Sequence, residues 1–435
     1  MGEQALHKLA IKTGFCKRKS KLSPDVFFDL LFFASSRSHN SSLEHLVSHL
    51  YICHGIDIHK QSLDERFTDK TVFFVKAVLR RLIEKQFSDW LISEHFLSSF
   101  NHVRIKDSTT FKVPDNLKEN FSGNGGGVAG ITVQYEFDLK TGKFLDLTIT
   151  EACRNDQTDA SETSENICEN DLVLRDMGYY SAPVLREFDE KGAFYLSRLP
   201  ASVSVYDKNG KELDFKKIRT SMSENGIEVM EKQVLIGEAK LPVRLMIGLV
   251  PPEVYQQRIR RKEREEKKKG RQTKEKTKQL LYFNLFITNA DHDKLPLDKI
   301  MPLYRFRWQV ELQFRNWKSL FSIHTMQKMK ETRYITMLYT RLILIVVHLQ
   351  IINRVQGIIS KQLLWPDAIL SYTKALNTLR DNFFDIMSIL RGSLENAVIL
   401  LGNIYHNLRK NHWREKRNKR ENFIENIYLF ICTSE

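Results

Sequence analysis

Residues Tyr304-Arg305-Phe306-Arg307-Trp308-Gln309-Val310-Glu311-Leu312-Gln313-Phe314-Arg315-Asn316-Trp317-Lys318 carry two patterns at once. Tyr304, Arg307, Glu311 and Lys318 are spaced by 3, 4 and 7. At roughly 100° per helical residue they fall within an arc of about 60°. Leu303, Phe306, Val310, Phe314, Trp317 and Phe321 fall on the opposite side of the same wheel. The spacing therefore predicts one helix from 304 to 318, with a polar stripe and a hydrophobic keel that includes Trp317 as core. A carboxylate between cationic groups suits a metal and phosphate site. The same stripe also suits a solvated helix with i,i+4 ion pairs.

Outward from this helix, the pattern is mixed. His102-Val103-Arg104-Ile105-Lys106-Asp107 alternates as a strand and ends on an acid. Val128 to Asp138 and Lys143 to Glu151 are rich in β-branched and aromatic residues and flank a hairpin turn. Asp171 to Asp176 reads as a second strand ending on an acid; Pro183 then opens a helix, and Ala193 to Ser197 forms another strand. Val203 to Val250 reads as short strands, and Arg258 to Lys278 as a charged helix with twelve Lys or Arg against four Glu. That run suits either a solvated helix or a phosphate-backbone contact. Leu281 to Asn289 resumes the core as a nearly continuous apolar strand.

The flanks read as helical. In the first hundred residues, Leu43, Leu46, Val47 and Leu50 recur at helical spacing before Gly55 and a second segment, Lys60 to Phe67. This is the outline of a helix-turn-helix, or of a helical hairpin without DNA. Basic runs stand at Lys17 to Lys21 and Arg409 to Arg420. The expected organisation is a helical DNA-binding region over 1–100, an α/β core over 101–199 and 281–332, a β-rich insertion over 200–280, and a helical C-terminal region over 333–435.

Composition narrows the partner. A net charge of +14 over 435 residues points to a polyanion, most simply nucleic acid. No membrane partner is expected, because the apolar run Leu342 to Val347 is short and bounded by Arg341 and His348. No signal-like start is read at Met1. Five cysteines without a Cys-x-x-Cys pair argue against a disulfide framework or zinc ribbon and fit a reduced cytoplasm. Gly123 to Gly127 lacks the Lys-Ser/Thr of a P-loop and reads as a turn.

Asp107 and Asp176 at strand ends and Glu311 on the helix are three carboxylates of the kind two divalent ions need. Strand-end aspartates also cap turns, and Glu311 also suits an ion pair. The motifs Asp107-Ser108-Thr109-Thr110, Asp176-Met177-Gly178-Tyr179 and Tyr304-x2-Arg307-x3-Glu311-x6-Lys318 resemble, in order, the signature of DDE transposases of the insertion-sequence-4 family. The resemblance implies an RNase H-like core with Asp107, Asp176 and Glu311 as catalytic metal ligands. It implies two Mg²⁺ ions, replaceable by Mn²⁺, and Tyr304, Arg307 and Lys318 gripping DNA phosphates. It further implies cleavage of double-stranded DNA at terminal inverted repeats, transfer of the 3′-OH ends into target DNA, and a homodimer on DNA in a bacterial cytoplasm. Two other readings stay open: an inactive DNA-binding relative, and a nuclease of similar core without strand transfer. Relatives that excise through a DNA hairpin use a Trp of the insertion to stack on a flipped base. Residues 190–290 contain no Trp, and Tyr206, Phe215, Tyr255, Tyr282 and Phe283 are the candidates there to take its place, since stacking tolerates any aromatic.

Overall fold

The computed structural model describes residues 2–18, 20–36, 42–86, 95–125, 127–270, 272–362, 370–386 and 394–413. Its centre is one nine-stranded mixed sheet. The strands are β1 (Val103–Lys112), β2 (Gly130–Asp138), β3 (Phe144–Glu151), β4 (Leu172–Arg175), β5 (Phe194–Arg198), β6 (Val205–Tyr206), β7 (Val229–Ile236), β8 (Leu241–Leu249) and β9 (Phe283–Thr288). Their order is β3-β2-β1-β4-β5-β9-β8-β7-β6. Only β1, β4 and β5 run parallel to their neighbours in the sequence β1-β4-β5; the other pairs are antiparallel. The strands of 200–280 therefore extend the same sheet, because β8 pairs along the whole of β9.

Three sequence expectations are corrected here. First, Asp107 does not end its strand. Ser108-Thr109-Thr110-Phe111 are good strand formers and pair on with β2 as far as Lys112 opposite Gly130. The parallel neighbour β4 stops at Arg175, so Asp107 lies where β4 leaves the sheet. Second, the insertion is not strands alone: Phe215–Glu224 is a helix. Asp214 caps it by accepting from the backbone N–H groups of Lys216 and Lys217, and Phe215 and Met222 bury its inner side. Third, the charged helix starts earlier and is split. Helix Pro252–Lys269, here α1, ends at Gly270 in the left-handed region (φ 62°), and Glu275–Leu280 forms a separate short helix.

In the N-terminal region, Leu43–His54 closes at Gly55 (φ 63°), but the following helix spans only Lys60–Asp64. Lys19 and residues 414–420 of the two basic runs lie outside the described residues. Helix Glu331–Gln362, α4 below, is long and apolar enough to cross a bilayer by length and composition. Yet 83% of its most apolar window is buried inside the protein. It is the spine of the larger core, with Leu342, Ile343, Ile345 and Val346 fully enclosed.

The sheet face opposite α4 is ionic. Arg104 and Lys106 of β1 share that face with Arg175 of β4, since alternate strand residues point the same way. Arg104 pairs with Glu136 (2.9 Å) and Asp171 (3.1 Å); Lys106, fully buried, pairs with Asp159 (2.7 Å) and Asp146 (3.1 Å). Such a network adds little net stability over an apolar core, but removing one member leaves an uncompensated buried charge. Lys106→Met is therefore expected to destabilise the protein by about 3–5 kcal/mol. Urea unfolding checks this, and a loss of less than about 1 kcal/mol would contradict the account.

Candidate active site

Register places the first two acids. Lys106 lies opposite Arg175 in the parallel pair, so Asp107 and Asp176 follow side by side on the face opposite the ionic network. Asp176 starts a 3₁₀ turn, Met177–Tyr179. Gly178 has a steric reason: a Cβ there would sit 2.8 Å from Asp156 Oδ2. Tyr179 is buried, and its hydroxyl donates to Gln134 Oε1 (2.8 Å).

The expected single helix over 304–318 is two, α2 (Leu297–Arg305) and α3 (Trp308–Phe321). Both intervening residues keep right-handed helical angles, but the hydrogen bonds shorten to i−3: Phe306 N–H to Leu303, Arg307 N–H to Tyr304, and Val310 N–H to Arg307. The tightened turn breaks the regular ladder without reversing the chain. The keel is buried as its spacing predicts: Leu303, Phe306, Val310, Phe314, Trp317 and Phe321 all lie in the core. Trp317 packs on Tyr135 of β2 with centroids 4.9 Å apart. Beyond α3, Ser322 adopts φ 50°, and its carbonyl accepts from Arg341 of α4.

Arg307 draws the three acids together. Its Nη1 donates to Asp107 Oδ2 (2.7 Å), its Nη2 to Glu311 Oε1 (2.9 Å), and its Nε lies 3.8 Å from Asp176 Oδ1. Tyr304 adds a hydroxyl directed at Asp176 Oδ1 (3.4 Å) and the Arg175 carbonyl (3.3 Å). Lys318 does not join them. It lies seven residues, or about 10 Å of helix axis, beyond Glu311. It makes no ion pair with the acids among the described residues, and burial lowers its pKa.

Burial pushes the Asp107 carboxyl up to about 6; Arg307 and the Ser108 N–H oppose this, while Asp176 and Glu311 reinforce it. Burial also works against the Arg307 charge, but Asp107 and Asp176 outweigh it and hold the guanidinium protonated. Among the described residues no three His, Cys, Asp or Glu side chains close around a common point; Arg307 lies between the acids instead. The donors are nonetheless all carboxylate oxygens gathered about one cation, with Asp176 and Glu311 partly open to solvent. That chemistry fits a hard divalent ion that keeps several waters.

Sequence reading missed Asp156, which lies behind the acids on the face of the ionic network. Its Oδ1 accepts from Ser108 Oγ (3.1 Å), and burial raises its pKa. No spacing links positions 108 and 156; only the helix Asp156–Glu162, laid on the sheet, does. The insertion's aromatics separate clearly. Phe215 and Phe283 are core residues, Tyr255 and Tyr282 stack on each other (3.7 Å), and Lys240 lies over Tyr206.

Because folding raises the Asp107 pKa above its ordinary 3.8, the folded state holds that proton more tightly. Its contribution is full at low pH and is lost as pH rises through about 6. Asp107→Asn should thus gain stability relative to the parent between about pH 5 and about pH 8, by about 1.4 kcal/mol. Denaturant unfolding in chelator at both pH values measures it; a pH-independent difference would refute the assigned shift.

A family model for the transposase DDE domain matches residues 98–347, a span containing all three acids. The transposase for insertion sequence element IS231F of Bacillus thuringiensis subsp. israelensis is 30% identical over 435 aligned residues, covering 95% of this chain and 90% of the relative. That for IS231B of B. thuringiensis subsp. berliner is 30% identical over 439, covering 97% and 91%. That for IS1151 of Clostridium perfringens is 27% identical over 373, covering 81% and 79%. With more than half of its length inside the family match and its relatives aligned nearly end to end, the chain belongs to the DDE transposases and is a DNA transposase.

Proposed function

We propose that this transposase is of the insertion-sequence-4 type and that Asp107, Asp176 and Glu311 are its catalytic acids, working with two divalent ions, Mg²⁺ or Mn²⁺. The observation that carries the reading is their convergence on Arg307 from segments 69 and 135 residues apart (176 − 107 and 311 − 176). The order of the parallel strands and the helix laid across them supports an RNase H-like core. The three carboxylates would hold the ions, which when bound activate the attacking oxygen and stabilise the leaving one.

The chain's own residues do the rest. Asp107, buried on one side, fixes one limit of the site; Asp176 and Glu311 face solvent, where DNA enters. Arg307 neutralises the acids before DNA arrives and offers a planar pair of donors to a phosphate afterwards. Tyr304 holds its hydroxyl beside Asp176 for the same phosphate. Lys318, farther along α3, acts as a point charge on the next stretch of backbone.

In the first reaction a water oxygen attacks phosphorus at the end of the element. The bond to the 3′ oxygen breaks, and that oxygen leaves as a 3′-hydroxyl. In the second, the same 3′ oxygen loses its proton and attacks a target phosphodiester, whose own 3′ oxygen departs. The number of phosphodiester bonds is conserved in the second step, so positioning and charge neutralisation supply most of the rate. Pairing of two ends calls for a dimer on DNA, with the 1–100 and 333–435 helical regions as its DNA-contact and assembly surfaces.

With duplexes bearing the terminal inverted repeats that flank its gene, cleavage should require Mg²⁺ or Mn²⁺. Asp107→Ala, Asp176→Ala and Glu311→Ala should each reduce it by roughly a thousand-fold or more. Cleavage retained by all three would overturn the site. Cleavage without joining to a target plasmid would mark a nuclease, and specific binding with no cleavage under any metal an inactive relative.

A further inference from the structure

We infer that Arg198 and Arg258 together seat a phosphate of bound DNA beside the three acids, on the side toward the basic helix α1; the inference rests on the DNA reading proposed above. Ser197 of β5 lies opposite Arg175 of β4, as Arg175 lies opposite Lys106 of β1. One residue on, Arg198 stands in the row of Asp107 and Asp176, at the end of the parallel strands and on the same face. Across the sheet Arg198 is paired with Phe286 of β9. The Phe286 ring packs edge-on against Tyr304, with centroids 4.9 Å apart. Directly opposed strand residues share a face, so Arg198 and Tyr304 lie on one side.

Arg258 is fixed on that side too. Its Nη2 donates to Asn284 Oδ1 (2.6 Å), two residues before Phe286. Its Nη1 donates to the carbonyls of Leu281 (3.1 Å) and Phe283 (2.8 Å). Three of its five N–H donors are thereby used, and two remain without a partner among the described residues. Neither Arg198 nor Arg258 has a carboxylate partner among the described residues. Burial, and then the Arg198 charge, depress the Arg258 pKa, and Arg198 is felt at Tyr304 as well.

Arg307 has three acids around it; this second pair of cations has none among the described residues. Two guanidinium groups with unfilled donors and no counter-charge make an anion seat, and a phosphodiester matches their fork geometry. Because Arg258 opens the basic run of α1, the seat joins the acids to that run along one line of backbone.

The test is binding of the terminal-repeat duplex in chelator, where cleavage plays no part. Arg198→Gln should weaken binding about ten-fold and make the slope of log affinity against log salt shallower by about 1. Arg198→Lys should keep the slope. Neutral methylphosphonates placed singly along the duplex test the folded parent protein directly. One position near the cleavage point should reproduce the loss with the parent and add nothing with Arg198→Gln. Parental affinity and slope in Arg198→Gln, or losses that add instead of overlapping, would overturn the seat. If the parent cleaves with metal while Arg198→Gln binds as the parent does, the seat falls and the catalytic reading stands. If the parent never cleaves but the overlap is seen, the seat stands and the catalytic reading falls.

Discussion

Lys106 opposite Arg175, repeated as Arg175 opposite Ser197, is the constraint on which the rest of the molecule turns. Successive strand residues point to opposite faces, so a slip of one residue would exchange the two faces of the central strands. In the observed register the ionic network of Arg104, Lys106 and Arg175 is enclosed on one side, and Asp107 and Asp176 emerge together on the other. The network is a poor source of stability but a strong specifier. Any other register would bury those charges away from Glu136, Asp159 and Asp171.

From that starting point the acids are completed by a helix pair and not by the sheet. The keel of α3 rests on Tyr135, and Arg341 holds its far end through the Ser322 carbonyl. Glu311 is thus positioned by core packing behind it while its own carboxylate stays half exposed. Arg307 sits at the tightened turn between α2 and α3, the point from which one side chain reaches both strands and the next helical turn.

Much of this was legible in the sequence because it is periodic. The six keel residues are spaced for one helical face, and all six are buried. Asp176 is announced by a short apolar strand, and the glycine two residues on marks a close approach. What was not legible depends on partners distant in sequence. The continuation of β1 past Asp107 suits its Thr and Phe residues but is completed only by pairing with β2. Asp156 meets Ser108 behind the acids, and Arg198 joins their row, only through the fold, one by a helix laid on the sheet and one by strand register. The break at Phe306–Arg307 left the wheel nearly intact, because both residues remain right-handed helical. The wheel's weakness was axial: it ranks Lys318 with Glu311 by angle and ignores the two helical turns between them.

The unbroken pairing from β3 across to β6 has a thermodynamic consequence. Helix α1 leaves the end of β8, and its Arg258 is tied to the backbone of β9, so the start of its basic run is bolted to the slab that carries the acids. A polyanion laid along both would meet a surface already in shape. Little ordering entropy would be spent on docking, leaving more of the electrostatic attraction available to bend or open the duplex it holds.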